Sequence, residues 1–187
     1  MTQPRHAPLA PRAPVKPNPA MEALLKEVYT SFNAEFGYAV DEVSIVIPRE
    51  RIVEACALAK GEPRLQCDYL RCLAVTEYPQ YFQVSYMLYS TGLKHRFMLK
   101  TNTAKDNPAV PSVTGVWKGA DWHEREGAEL FGVTFAGHPD PRHLLLFEEF
   151  DGKFPLRKDY PFEEIVEWTP DQEERWPDLS KQGKEQS

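Results

Sequence analysis

The sequence predicts an α+β fold, a two-layer sandwich of helices on a mixed or antiparallel sheet, followed by an extended C-terminal segment. Three observations carry this. Apolar residues recur at helical spacing near the start, at Leu24, Leu25, Val28, Tyr29, Phe32 and Phe36. From Cys72 onward come three runs with strand-like alternation and short turns between them. Beyond Ala136, prolines break every apolar run before it reaches helix length. A helix, a strand, a helix and then a series of strands fit two layers around one core. The 187 residues thus divide into a leader (1–19), an α+β domain (20–135), an extended docking segment (136–169) and a polar tail (170–187).

The leader is proline-rich and holds Arg5, Arg12 and Lys16 with no acidic residue. It cannot bury a core and favours polyproline geometry, either as a disordered tail or as a basic strap across an acidic neighbour. Met21–Phe36 reads as an amphipathic helix ending at Gly37. Val43–Ile47 reads as a strand, and Pro48 opens a second helix through Ile52, Val53, Cys56 and Leu58 to Gly61. The three strands are Cys72–Thr76, Tyr81–Tyr89 and His95–Thr101. In the second, Phe82, Val84, Tyr86 and Leu88 share one face and Gln83 and Ser85 the other.

The next helix is predicted to start after a capping Asp121, with Trp122 and His123 in its first turn. Glu124 falls at the third position, as in a capping box. The helix passes Glu126 and Glu129 to Phe131, and Gly132 supplies a left-handed stop. Ala120, Glu124, Gly127, Ala128 and Phe131 fall on one face, small enough for a close neighbour. Glu124, Arg125, Glu126 and Glu129 read either as a solvated charged face or as contacts to a partner. Val133–Phe135 reads as a short strand, Ala136–Pro141 as a turn, Leu144–Phe147 as a buried strand and Asp151–Gly152 as a turn pair. Pro155 and Pro161 bound a segment whose backbone is predicted to be extended and partly exposed.

Composition excludes several function classes. A net charge of −6 with no clustered basic footprint argues against a dedicated nucleic-acid binder. No apolar run approaches the roughly 20 residues of a membrane span. The N-terminus lacks the apolar centre of a secretory signal and the amphipathic pattern of a transit peptide, so a bacterial cytoplasmic location is expected. Cys56, Cys67 and Cys72 match no iron–sulfur ligand spacing and read as reduced structural thiols. The glycine spacing Gly132–Gly137 is followed by His138-Pro139 where a phosphate loop requires Lys-Ser/Thr. His138, Asp140 and His143 have the chemistry of a metal site, although their prolines restrain the backbone and no second ligand cluster accompanies them. A stand-alone metal-dependent hydrolase is the different-class alternative.

The run EREGAELFGVTFAGHPDPRHLL, followed downstream by PLRKDYP, resembles the 30 kDa (C-type) subunit family of the proton-pumping NADH–quinone oxidoreductases, respiratory complex I. Glu124, Arg125, Glu126, Glu129, Leu130, Phe131, His138, Pro139, Asp140, Arg142, Leu144 and Leu145 fall in register with the family pattern. Trp122 and Gly132 fit beside them, as do Pro155, Leu156, Arg157, Lys158, Asp159, Tyr160 and Pro161 downstream. Pro141, Gly127, Ala128, Lys153 and Phe154 depart from it. The resemblance implies a non-catalytic subunit of the peripheral arm on the cytoplasmic side of the cell membrane. It also implies no cofactor or metal in this chain, with flavin, iron–sulfur clusters and quinone in partner subunits. The expected partners are the large quinone-pocket subunit and neighbouring iron–sulfur subunits, and the equivalent subunit of a related membrane-bound hydrogenase or other-donor dehydrogenase is the nearest alternative. Glu124, Arg125, Glu126, Arg157, Lys158 and Asp159 are then expected to supply charged contacts to partners, with Trp122, Phe131 and Tyr160 as apolar anchors.

Overall fold

A computed structural model describes residues 18–39, 42–147 and 150–161. The expectations for the leader up to residue 17 and for everything after Pro161, including the polar tail, lie outside the described residues. The chain divides into two units, Met1–Arg157 and Lys158–Ser187. The described part of the second, Lys158–Pro161, is a turn and bend.

The first helix, α1, spans Pro19–Val28. Asn18 starts it, its side-chain oxygen accepting from the backbone N–H groups of Ala20 and Met21, with Pro19 in the first helical position. The helix is shorter than its apolar pattern predicts. A 3-10 turn, Thr30–Phe32, and a left-handed Asn33 (φ 49°) reverse the chain into strand β1, Glu35–Ala39. Phe36 and Gly37 therefore belong to the sheet. Phe32 and Phe36 are four apart, the spacing of one helix face, but a turn separates them.

Strand β2 (Glu42–Val46) pairs antiparallel with β1, and Pro48 leads through a 3-10 turn into α2, Ile52–Gly61. Three nine-residue strands follow: β3 (Tyr69–Glu77), β4 (Tyr81–Tyr89) and β5 (Arg96–Ala104). The sheet order is β1-β2-β5-β4-β3, antiparallel except where β2 runs parallel to β5, so it is mixed as expected. Phe82, Val84, Tyr86 and Leu88 are all buried, joined in one core with Leu25 of α1, Tyr29 just after it, and Ile52, Ala55 and Cys56 of α2. The Tyr29 hydroxyl donates to the Ala55 carbonyl across that core. On the opposite sheet face Gln83 and Ser85 are also largely covered, and Gln83 donates to Asn102 of β5.

Helix α3 spans Ala120–Phe131 and lies on β3. It is preceded by β6 (Ala109–Pro111) and followed by β7 (Thr134–Ala136), which pair in parallel as a separate two-stranded sheet. Strand β6 was not predicted: three residues are too few to show a period. Gly127 of α3 makes the helix–sheet approach possible, because a Cβ there would stand 2.8 Å from Val75 Cγ2. The close neighbour expected of this small-residue face is thus the chain's own sheet.

Gly127→Ala tests this. Alanine favours a helix by about 1 kcal/mol over glycine, yet overpacking a tight contact costs about 1–3 kcal/mol. Denaturant melting is expected to show a net loss, largely recovered when Val75→Ala is added. A gain in stability from the single substitution would mean that the helix has room to shift.

Candidate functional site

Helix α3 carries the motif, and three of its charged residues, Glu124, Arg125 and Glu129, bond within this chain. The predicted capping box does not form. The N-cap is Gly119, no side chain caps it, and Asp121 lies inside the first turn. Glu124 is fully buried. One of its oxygens, Oε1, accepts from the Val113 N–H at 2.7 Å, which ties the loop before the helix to its second turn. Trp117 anchors the same loop by donating its indole N–H to the Cys67 carbonyl.

Arg125 and Glu129, one turn apart, hold a single stretch of backbone. Arg125 donates from Nε to the Arg142 carbonyl and from Nη2 to the His143 carbonyl, at 2.8 and 2.7 Å. The Glu129 carboxylate accepts from three consecutive N–H groups, those of Leu144, Leu145 and Leu146. Bonds of this kind to an ionised group are stronger than neutral ones. They also explain why Leu144–Phe147 is not the predicted buried strand. Its donors are taken by a carboxylate instead of a neighbouring strand, and Leu145 and Phe147 are 59% and 65% exposed.

The C-terminal end of α3 is closed in a similar way. Gly132 adopts the expected left-handed stop at φ 73°. Arg157 donates from Nε to the Phe131 carbonyl at 2.6 Å, and the Leu156 N–H donates to the Leu130 carbonyl. A cation at this end also suits the helix dipole. The Arg157 guanidinium stacks on the rings of Phe82 and Phe154, 5.2 and 4.5 Å from their centroids. A Cβ on Gly132 would stand 2.7 Å from both Arg157 and Phe154. The predicted extended path is replaced here by a turn, in which the Arg157 N–H donates to the Phe154 carbonyl. Arg157 is thus engaged within its own unit.

Between these braces runs the Gly-His-Pro-Asp turn. His138 packs against the first turn of α3 with Nε2 3.2 Å from the Asp121 carbonyl, while its Nδ1 accepts from the Asp140 N–H. Asp140 and Arg142 form a bidentate surface pair, which holds the Asp140 carboxyl well below its ordinary range. Pro139 and Pro141 lie at the surface. Among the described residues no group of three or more His, Cys, Asp or Glu is arranged to hold a metal ion. The three cysteines are unpaired, and burial pushes their thiols above the ordinary range.

The motif residues on the outside form a smaller set. Trp122 is 67% exposed and Leu156 54%. Glu126 is half exposed, near His123. Phe131 is partly buried, edge-on to Phe82, so it serves the core. Lys158 and Asp159 are exposed, Pro155 and Tyr160 half-buried and Pro161 exposed. Val113 and Trp117 also fit the family pattern in the sequence, but sequence reasoning did not show what they bond to. A signal for the first was present, since Glu124 falls on the helix face shared with Ala120 and Gly127, where a carboxylate needs a donor.

Two substitutions separate internal braces from surface charges. Glu129→Gln is expected to cost about 1.5–3 kcal/mol, the range for hydrogen bonds to a charged group. Amide exchange at Leu144, Leu145 and Leu146 should rise selectively. Arg157→Ala is expected to cost about 1–3 kcal/mol in the isolated chain through the lost Phe131 bond and ring stacking. Unchanged melting of that variant would mean that the arginine acts only outside its own domain.

The motif helix and the sheet beneath it recur in known proteins. Residues 45–166 match the family model of the respiratory-chain NADH dehydrogenase, 30 Kd subunit. The chain is 46% identical over 118 residues to the C 2 subunit of the NADH-quinone oxidoreductase of Rhizobium etli (strain CIAT 652), which covers 62% of each protein. It is 40% identical over 142 residues to the protein of the same description from Rhizobium meliloti (strain 1021), covering 71% of this chain and 77% of that one. Among solved structures, the trypsin-resistant fragment (1-134) of Nqo5 superposes with a TM-score of 0.55 at 28% identity, covering 64% of this chain and 98% of the fragment. A chain of the membrane-bound sulfane sulfur reductase, an archaeal respiratory membrane complex, shares the fold with a TM-score of 0.65 at 19% identity, covering 86% and 93%. With its motif helix, its sheet order and a match spanning well over half its length, the chain belongs to the 30 Kd subunit family of the respiratory-chain NADH dehydrogenases.

Proposed function

We propose that this chain is a non-catalytic subunit of the peripheral arm of a proton-translocating NADH–quinone oxidoreductase. It braces the quinone-pocket and iron–sulfur subunits while electrons pass from NADH to quinone, and it binds no redox centre itself. Its place is on the cytoplasmic side of a bacterial membrane, reached through partners. Among the described residues no helix is long and apolar enough to cross a bilayer. Electron transfer needs fixed distances, so a subunit of this kind has to be rigid where it meets its neighbours.

The observation that carries the reading is the division of labour around α3. Glu124, Arg125, Glu129 and Arg157 are spent on internal bonds that fix the backbone. Trp122, Leu145, Phe147 and Leu156 remain as large exposed apolar side chains on the same helix and on the segments held by it. Exposed aromatic residues on a rigid support are what protein interfaces favour.

Purification of a tagged full-length chain from membranes is expected to recover flavin- and iron–sulfur-containing subunits together with NADH–quinone reductase activity. Recovery of a hydrogenase module or of another donor's dehydrogenase would overturn the assignment. Trp122→Ala combined with Phe147→Ala should leave melting of the isolated chain unchanged. It should weaken assembly by about tenfold or more, as expected when interface anchors worth about 2 kcal/mol are removed. Full assembly of this variant would remove the proposed docking face.

A further inference from the structure

The interior behind the Gly-His-Pro-Asp turn holds a set of polar groups that are not fully matched. Glu124 Oε2 has no hydrogen-bond partner, nor does Asp121 Oδ1. His138, whose side chain is 4% exposed, stands against both, with Nε2 3.4 Å from Asp121 Oδ1 and 4.0 Å from Glu124 Oε2. The Asp140 N–H can only donate, so Nδ1 of His138 carries no proton while it accepts that bond at 3.0 Å. The imidazole is then neutral.

Glu124 also faces groups from several neighbouring elements. Asp121 adds a like charge from its own helix, and the Ser112 hydroxyl and Val113 N–H approach from the preceding loop. The Cys56 thiol of α2 and the Tyr86 hydroxyl of β4 lie within range of its charge, and the Tyr86 hydroxyl is itself buried without a partner. Arg125 lines the adjoining cavity but spends its guanidinium on the Arg142 and His143 carbonyls, and the other groups carry no full positive charge. An ionised Glu124 would therefore be a buried carboxylate without a counter-ion, which a folded protein avoids by keeping the proton or by opening.

We propose that Glu124 and His138 form a proton-operated latch, in which a proton on the Glu124 carboxyl keeps the turn around His138–Arg142 closed on α3 and loss of that proton releases it. Relief of an ionised Glu124 has two routes. His138 can take up a proton, but an imidazolium has two N–H groups and no acceptor, so the bond from Asp140 is lost. Alternatively the turn lifts and admits water from the adjoining cavity of about 260 Å³, whose lining includes Glu124, Arg125, Ala128, His138, Pro141 and Phe154. Either route frees the Asp140 N–H.

The direction of the pH dependence follows from burial, which pushes the Glu124 carboxyl above its ordinary value of 4.5, with Asp121 adding to the push. The Ser112 hydroxyl and the Val113 N–H oppose it, and so would His138 once protonated. The folded chain thus holds this proton at pH values where the unfolded chain has released it. The contribution of the protonated carboxyl to stability is fully present below 4.5 and is lost as pH rises through the folded-state value.

The experiment uses the full chain labelled for NMR. It follows the Glu124 carboxyl carbon and the Asp140 amide exchange rate, corrected for intrinsic exchange, as pH is raised from 4 to 9. Glu124 is expected to titrate above 4.5, and protection of the Asp140 amide should fall by at least about tenfold through the same pH range. Glu124→Gln keeps an acceptor for Val113 and cannot ionise, so its Asp140 protection should not depend on pH. Titration of Glu124 at or below 4.5 would overturn the proposal. So would protection that ignores the Glu124 titration, or an unchanged pH dependence in Glu124→Gln. If that variant does not fold, coincidence or non-coincidence of the two wild-type curves decides the matter. The latch does not depend on membership of an electron-transfer complex, and co-purification tests that separately.

Discussion

The distance between α3 and the sheet governs where the 142–146 backbone and Arg157 are held. Gly127 lets the helix backbone settle onto Val75, and that depth sets where its outer residues begin. Arg125 and Glu129 can reach the 142–146 backbone because α3 is held at a fixed height. Arg157 can reach the last helical carbonyls for the same reason. A glycine that weakens the isolated helix therefore strengthens the assembly of segments around it, a case of tertiary packing overriding local propensity.

The helix also joins two unlike environments. Its inner face meets a core that tolerates no unpaired charge, yet Glu124 stands there, held by one backbone N–H and by little else. Its outer face meets a segment with no strand partner, and side chains supply the missing hydrogen bonds. Most buried backbone polar groups find partners in secondary structure. Here a carboxylate and a guanidinium take that role, so an irregular segment is placed as firmly as a strand without joining a sheet.

Much of this was legible in the sequence, and the failures have physical causes. Alternation identified β3, β4 and β5, since a half-buried strand must alternate. Gly132 marked the end of α3 because only a left-handed residue fits there. The length of α1 was misread because Phe32 and Phe36 keep helical spacing across a turn set by Asn33, whose positive φ leaves little trace in the pattern. The apolar run Leu144–Phe147 looked like a buried strand because composition reports hydrophobicity and not where the N–H groups go. Charge was the least legible feature. Glu129 and Arg157 have the residue types of surface contacts, and only the fold shows that their partners are backbone groups of the same chain.

The Glu129 clamp has a consequence for how this surface can change. Its three bonds go to main-chain N–H groups, which every residue except proline possesses. The identities of residues 144–146 are thus separated from the force that positions them. Substitutions at Leu145 alter what the surface presents without loosening its hold on α3. A protein that must match a particular neighbour can then vary its outward side chains over evolutionary time while the platform beneath them stays in place, with proline the one residue type this arrangement forbids at those three positions.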